Sequence, residues 1–196
     1  MGFQVNGNTF IDNTGSAIFN ANTSVANNFS VQLTPFASRE STSPMQGTVA
    51  AFTSGGNDGS SPPLENNTID KFIFTNELTA VDHSNLTSAK RLVAGQSSDT
   101  DGFVTGGLYA PVTPSTLNVI DKFSFSSTSN ATDVADISLE RRGGSGQSSS
   151  TDGYTSGGEQ PPGRVNTIDK FPFAISSGTA TDVGDLTAVK TTVAGH

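Results

Sequence analysis

A stretch of about fifty residues is written three times in this chain, and that repeat limits the possible folds more than any single residue. The copies read FTSGG…NNTIDKFIF over 52–74, FVTGG…LNVIDKFSF over 103–125 and YTSGG…VNTIDKFPF over 154–173. A second block follows each copy: AVDHSNLTSAKRLVAGQ from Ala80, ATDVADISLERRGGSGQ from Ala131 and ATDVGDLTAVKTTVAGH from Ala180. The leading aromatics are 51 residues apart both times, whereas the Ile-Asp pairs are 51 and then 48 apart. The shortening therefore falls between Gly-Gly and Ile-Asp, where a loop is expected. Periods of this length belong to blades, arrays or solenoids, in which each unit buries its apolar face only against a neighbour.

Within the repeat the signals are those of strands. Runs rich in Phe, Val, Ile and Thr are bounded by Gly, Pro, Asn, Asp and Ser clusters. The one helix-compatible stretch, 86–93, is short and recurs in a β setting. The chain is predicted to be all-β. Residues 1–32 do not carry the repeat and read as a short β arm, with Phe3, Val5, Phe29 and Val31 alternating with polar residues. From Leu33 the repeat is echoed: LTPFASRESTSPMQGTVAAFTSGG resembles LTSAKRLVAGQSSDTDGFVTGG with two extra residues. The expected organisation is an arm over 1–32 and three repeats over 33–196, with one unit split between the termini.

The repeated positions invite a structural role. Gly55, Gly56, Gly106, Gly107, Gly157 and Gly158 follow an aromatic by two residues. They let the backbone turn or approach another strand closely. A phosphate-cradling loop would need a following helix and often a lysine, and neither is in place. Phe72, Phe123 and Phe171, each with a second Phe two residues on, lie on one strand face and are expected to pack between sheets. Asp70, Asp121 and Asp169 stand beside Lys71, Lys122 and Lys170. Successive strand side chains face opposite ways, so each Asp is expected to bond a backbone or a neighbouring unit instead of its own Lys. A general acid is not expected at a position that recurs with the scaffold.

Other chemistry has little material. The net charge of −8 and the lack of a Lys/Arg run longer than the pairs Lys90-Arg91 and Arg141-Arg142 argue against a nucleic-acid partner. The chain has no cysteine, His83 is replaced by Val in the other copies, and no apolar run approaches a membrane span. Asp133/Asp136, Asp182/Asp185, Asp99, Asp101 and Asp152 offer oxygen ligands, but their spacing is not that of an EF-hand, and the Asp-Gly pairs at 101–102 and 152–153 are ordinary turn signals. Asp133/Asp136 would also be the carboxylates of a glycan-active enzyme, a reading ranked last. No catalytic residue, cofactor or metal is expected. The opening MGFQVNGNTF has no signal-peptide pattern, so synthesis in a cytosol is expected.

With these residues on the page, FVTGG, VIDKFSF and DISLERR resemble the kelch repeat of β-propellers, although the kelch tryptophan is replaced by Phe74, Phe125 and Phe173. The wording YTSGG…NTIDKFPF…ATDVGDLT is similar to repeats of virion proteins from tailed bacteriophages, notably those infecting marine cyanobacteria. The opening VNGNTFIDNTGSAIFNA resembles N-terminal segments of phage fibre and appendage proteins. The resemblance implies kelch-like propeller-type blades, with an interwoven trimeric β fibre as the alternative. It also implies a virion appendage, fibre or decoration protein made in the host cytoplasm. The arm would attach to other virion proteins, the chain would form a homo-oligomer with a trimer favoured, and host surface glycan would be a further contact. An intracellular kelch-type protein-binding module is the second reading, since the loops NDGSSPPLEN, LYAPVTPSTL and EQPPGRV vary most.

Overall fold

Alternation of apolar and polar side chains between Gly-, Ser- and Asp-rich breaks produces a succession of short antiparallel strands. The computed structural model describes residues 4–5, 8–9, 49–60, 64–75, 79–109, 115–192 and 194–195. The chain divides into two units, Met1–Ser41 and Thr42–His196. In the first, β1 (Gln4–Val5) pairs antiparallel with β2 (Asn8–Thr9). The rest of the arm over 1–32, and the echo from Leu33 up to residue 48, lie outside the described residues.

Among the described residues the second unit contains three main sheets, one for each copy of the repeat, and one two-stranded hairpin. Sheet I is β3 (Ala50–Ser54), β4 (Thr68–Ile73) and β5 (Val81–Asn85), in that order. Sheet II adds a leading strand: β6 (Ala94–Ser97), β7 (Asp101–Thr105), β8 (Val119–Ser124) and β9 (Thr132–Asp136). Sheet III repeats that order with β10 (Ser145–Ser148), β11 (Asp152–Ser156), β14 (Thr167–Pro172) and β15 (Thr181–Asp185). Its shortened loop forms a small hairpin of β12 (Glu159–Gln160) and β13 (Gly163–Arg164). All strand pairs are antiparallel, and the described residues contain neither a helix nor a sheet closed on itself. The stretch 86–93 is an irregular, bent segment with one isolated bridge, Arg91 to Leu108, leading to the next strand.

The sheets pack face to face through aromatic side chains. Phe52 on sheet I stacks on Phe125 and meets Phe123 edge-on, at centroid distances of 4.8 and 5.5 Å. One repeat later Phe103 meets Phe173 and Phe171 at 5.1 and 5.5 Å. The aromatic before Gly-Gly thus faces the following sheet, and the two Phe residues of the IDKF strand face the preceding one. Ile69, Leu86, Val104, Phe123 and Ala131 form the core between sheets I and II. Phe103, Ile120, Ala135, Ile137, Phe171 and Ala180 form that between II and III. Full burial of a Phe or Ile contributes about 1.5–3 kcal/mol, so these two layers supply much of the stability of a chain only 33% hydrophobic.

A β-bulge recurs at the same place in every sheet, at Ile69/Asp70, Ile120/Asp121 and Ile168/Asp169. The extra residues on the partner strands are His83, Val134 and Val183, skipped in the register. A bulge re-aims the side chains around it. His83 is turned into the layer between sheets I and II, with Nε2 2.9 Å from the Ser124 carbonyl and its ring against Phe52. Val134 packs against the next core. His83 is therefore a packed bulge residue.

Candidate functional site

Two crossover segments connect the outer strand of one sheet to the leading strand of the next, and a third segment of the same pattern follows β15. Each begins Leu-Thr or Ile-Ser and carries a basic residue four positions after the Leu or Ile: Lys90, Arg141 and Lys190. Their backbones are held by the sheet they leave. Leu86 N–H donates to the Asn67 carbonyl at 2.7 Å, and Lys90 N–H to that of Asn66 at 3.1 Å. Ile137 and Arg141 repeat this on Asn118 and Leu117, at 2.7 and 3.0 Å. Leu186 and Lys190 repeat it on Asn166 and Val165, at 2.7 and 3.3 Å.

The glycine pairs receive these segments. The carbonyl of the basic residue accepts from the second glycine of the pair: Gly56 to Lys90 and Gly107 to Arg141 at 2.9 Å, and Gly158 to Lys190 at 2.7 Å. The first glycine lies beneath that carbonyl. A Cβ on Gly106 would stand 2.5 Å from the Arg141 oxygen, and one on Gly55 or Gly157 would meet Lys90 or Lys190 O. All six are in positive-φ conformations, from 61° at Gly106 to 114° at Gly107. The pair is therefore glycine for two reasons, a left-handed backbone and the close approach of a second chain segment.

The basic side chains reach the next sheet. Lys90 Nζ lies 2.9 Å from Asp121 Oδ2, with both side chains fully buried. Asp121 also accepts from Thr87 Oγ1 at 2.7 Å and Thr87 N–H at 3.2 Å. Arg141 Nη2 lies 2.9 Å from Asp169 Oδ2, which accepts in addition from Ser138 N–H at 2.9 Å. The same guanidinium nitrogen donates to the Thr155 carbonyl at 2.9 Å. Burial pulls the Arg141 pKa below the usual arginine range, and the Asp169 carboxylate opposes that shift. An arginine remains charged at neutral pH under such conditions. Each inter-sheet junction thus contains one desolvated ion pair, with its carboxylate further bonded by the Thr or Ser of the same crossover.

The third crossover has no such acceptor. Among the described residues Lys190 makes no ion pair, and its side chain and that of Thr187 are exposed. At the other end of the stack Asp70 is half-buried and has no ion-pair partner among the described residues. Phe72 and Phe74 are 36% and 44% exposed, while Phe123 and Phe171 are buried. Of the twelve repeat positions singled out in the sequence, the glycine pairs hold each crossover to the sheet it leaves. Asp121, Phe123, Asp169 and Phe171 meet the preceding sheet or its crossover, and Asp70 and Phe72 have no preceding sheet among the described residues.

The basic residues of the crossovers were not paired with the aspartates by sequence reasoning. The signal was nevertheless present: Lys90 precedes Asp121 by 31 residues and Arg141 precedes Asp169 by 28, so the interval shortens by the same three residues as the loop. The reading of Asp101-Gly102 and Asp152-Gly153 as turn pairs is also revised. Asp101 pairs with Lys122 and Asp152 with Lys170, each at 3.3 Å across adjacent strands. The IDKF lysines lie over the aromatic of the same sheet as well, Lys122 5.6 Å from the Phe103 centroid. The glycines after these aspartates are strand residues, and a Cβ on Gly102 or Gly153 would strike the Phe123 or Phe171 ring.

Beside the leading strands lies an open cleft of about 1030 Å³ bordered by Ala50, Phe52, Gln96, Phe103, Gly146 and Gln147. Its walls are hydroxyl, amide and aromatic, and Gln96 Nε2 is occupied by Thr155 Oγ1 and the Tyr154 carbonyl, both at 2.9 Å. Among the described residues no group of three or more His, Cys, Asp or Glu is arranged to hold a metal ion. Asp133 and Asp136 lie on β9. The Asp133 pKa is raised by partial desolvation and then by the Asp136 and Asp121 charges.

No protein-family model matches the chain, and no curated protein matches it. The solved structure of YjhT, a kelch-type protein, is similar to it, with a TM-score of 0.58 at 12% identity over 74% of this chain and 51% of YjhT. The chain spans about half the length of YjhT. At that identity the likeness is one of β fold.

Proposed function

We propose that this chain is a structural component of a tailed-bacteriophage virion, an exposed appendage, fibre or decoration protein built from three successive kelch-like propeller-type blades. The observation that carries the reading is the threefold wording of the repeat, together with an opening segment similar to those of phage fibre proteins. The stack geometry is compatible with it. Loops between Gly-Gly and Ile-Asp connect the same two strands in every sheet, so the described residues that flank the variable sequences lie along one side of the stack. The loop of sheet III is tied to the preceding crossover by Arg142 and Glu159, whose side chains pair at 2.8 Å. Such loops are the surface this reading assigns to contact with a host glycan, and residues 1–32 the segment it assigns to attachment on the particle.

Peptide mass spectrometry on gradient-purified particles of the phage encoding the chain tests the proposal. The chain is expected among the particle proteins, and a variant lacking residues 1–32 is expected to be lost from them. Absence of the intact chain from pure particles, with abundance in the lysate, would favour the intracellular binding module.

A further inference from the structure

We infer that the two ends of the sheet stack are the two halves of one interface, and that the occupant of each is a second copy of this chain. Lys190 of one copy enters the place beside Asp70 of the other, as Lys90 does beside Asp121 and Arg141 beside Asp169. The inference rests on the stacking of the sheets and stands apart from the virion reading.

The third crossover is finished on its own side. Its backbone bonds to Asn166, Val165 and Gly158 repeat those of the other two, so Lys190 is set at the position from which Lys90 and Arg141 reach their acceptors. The apolar surroundings agree. Val183, the bulge residue of sheet III, is 50% exposed, whereas its counterpart Val134 is packed against the core of the next junction. On the facing end Phe72 and Phe74 project where Phe123/Phe125 and Phe171/Phe173 are covered by the preceding sheet. The backbone is complementary too. Ala131 N–H donates to the Asn85 carbonyl at 2.8 Å and Ala180 N–H to that of Asp136 at 2.7 Å. The next bond in the series, from Ala80 to Asp185, has its donor on one end of the stack and its acceptor on the other.

Cation and carboxylate, bulge valine and paired phenylalanines, carbonyl and N–H therefore match between the two ends. A contact between two different patches builds a ring when the rotation closes, and an open filament when it does not. Two copies bring six sheets together, inside the usual range of about four to eight blades, whereas the three copies of a fibre bring nine. The number of sheets thus favours two copies. The competing occupant of the Asp70 site is the chain's own sequence echo over 33–39, which carries Arg39.

Light scattering on the full chain after size exclusion tests this. The expected mass is that of two 20.2 kDa chains. Lys190→Asp and Asp70→Lys should each shift the protein to single chains. An equimolar mixture of the two variants should return to the two-chain mass, because the exchanged charges are again opposite. Arg39→Glu should leave that mass unchanged. If Lys190→Asp fails to fold, Val183→Glu, an exposed substitution in the single chain, should give the same dissociation. A single-chain or three-chain mass for the unaltered protein would overturn the inference. So would a two-chain mass indifferent to Lys190→Asp, or dissociation or unfolding caused by Arg39→Glu but not by Lys190→Asp.

Discussion

At the scale of single residues, the repeated glycines are the most constrained positions. Gly106 combines a φ of 61° with a neighbouring carbonyl 2.5 Å from where a Cβ would sit. A left-handed conformation alone costs an L-residue roughly 1–2 kcal/mol, and overpacking adds about 1–3. Gly106→Ala is therefore expected to lower stability by about 2 kcal/mol or more in a denaturant titration. Asp133 offers a pH test. Its folded pKa is raised above the ordinary 3.8, chiefly by desolvation, so the native state favours the protonated form. The associated stability is fully present below the unfolded pKa and is lost as pH rises through the folded value. Asp133→Asn should raise the melting temperature at pH 7 and have a smaller effect near pH 3. An equal effect at both pH values would remove Asp133 as the cause.

At the scale of elements, the leading strands and the crossovers connect one sheet to the next. The leading strands approach so closely that a Cβ on Gly146 would meet the Gly95 carbonyl, and one on Gly195 the Gly146 carbonyl. Gly146→Ala should destabilise the chain by about 1–3 kcal/mol. Gly163→Ala, on the β12–β13 hairpin with nothing within 4 Å of the new methyl, should stay within about 0.5 kcal/mol of the parent. Much of this architecture is legible in the sequence. Strand positions, the glycine turns and the inter-sheet role of the Phe pairs follow from a period of two and from repetition. The buried ion pairs do not, because a strand pattern describes each sheet separately, whereas Lys90 and Asp121 meet only once two sheets are stacked. The bulge was equally hidden: one skipped residue in the partner strand turns Asp121 inward, and no local signal distinguishes Val134 from an ordinary strand valine. Gly102 and Gly153 read as turn glycines because Asp-Gly is a common turn pair, although each lies under a Phe ring.

At the scale of the molecule, the second unit is a stack in which sheets I and II each hold the crossover that joins them to the next sheet. Such a stack leaves two unfinished faces, a liability that a closed ring removes. Its cooperativity depends on how strongly each junction couples its sheets. Leaving one member of a buried pair without its partner costs about 3–5 kcal/mol, while replacing both by packed apolar residues is often neutral. The most direct test is a double-mutant cycle on Arg141 and Asp169, with Arg141→Met, Asp169→Leu and the double variant compared by denaturant unfolding. The expected result is two strongly destabilised single variants and a double variant close to the parent, with a coupling above about 1 kcal/mol. Single effects that simply add, within about 0.5 kcal/mol, would contradict a junction in which the two sheets are joined through this pair.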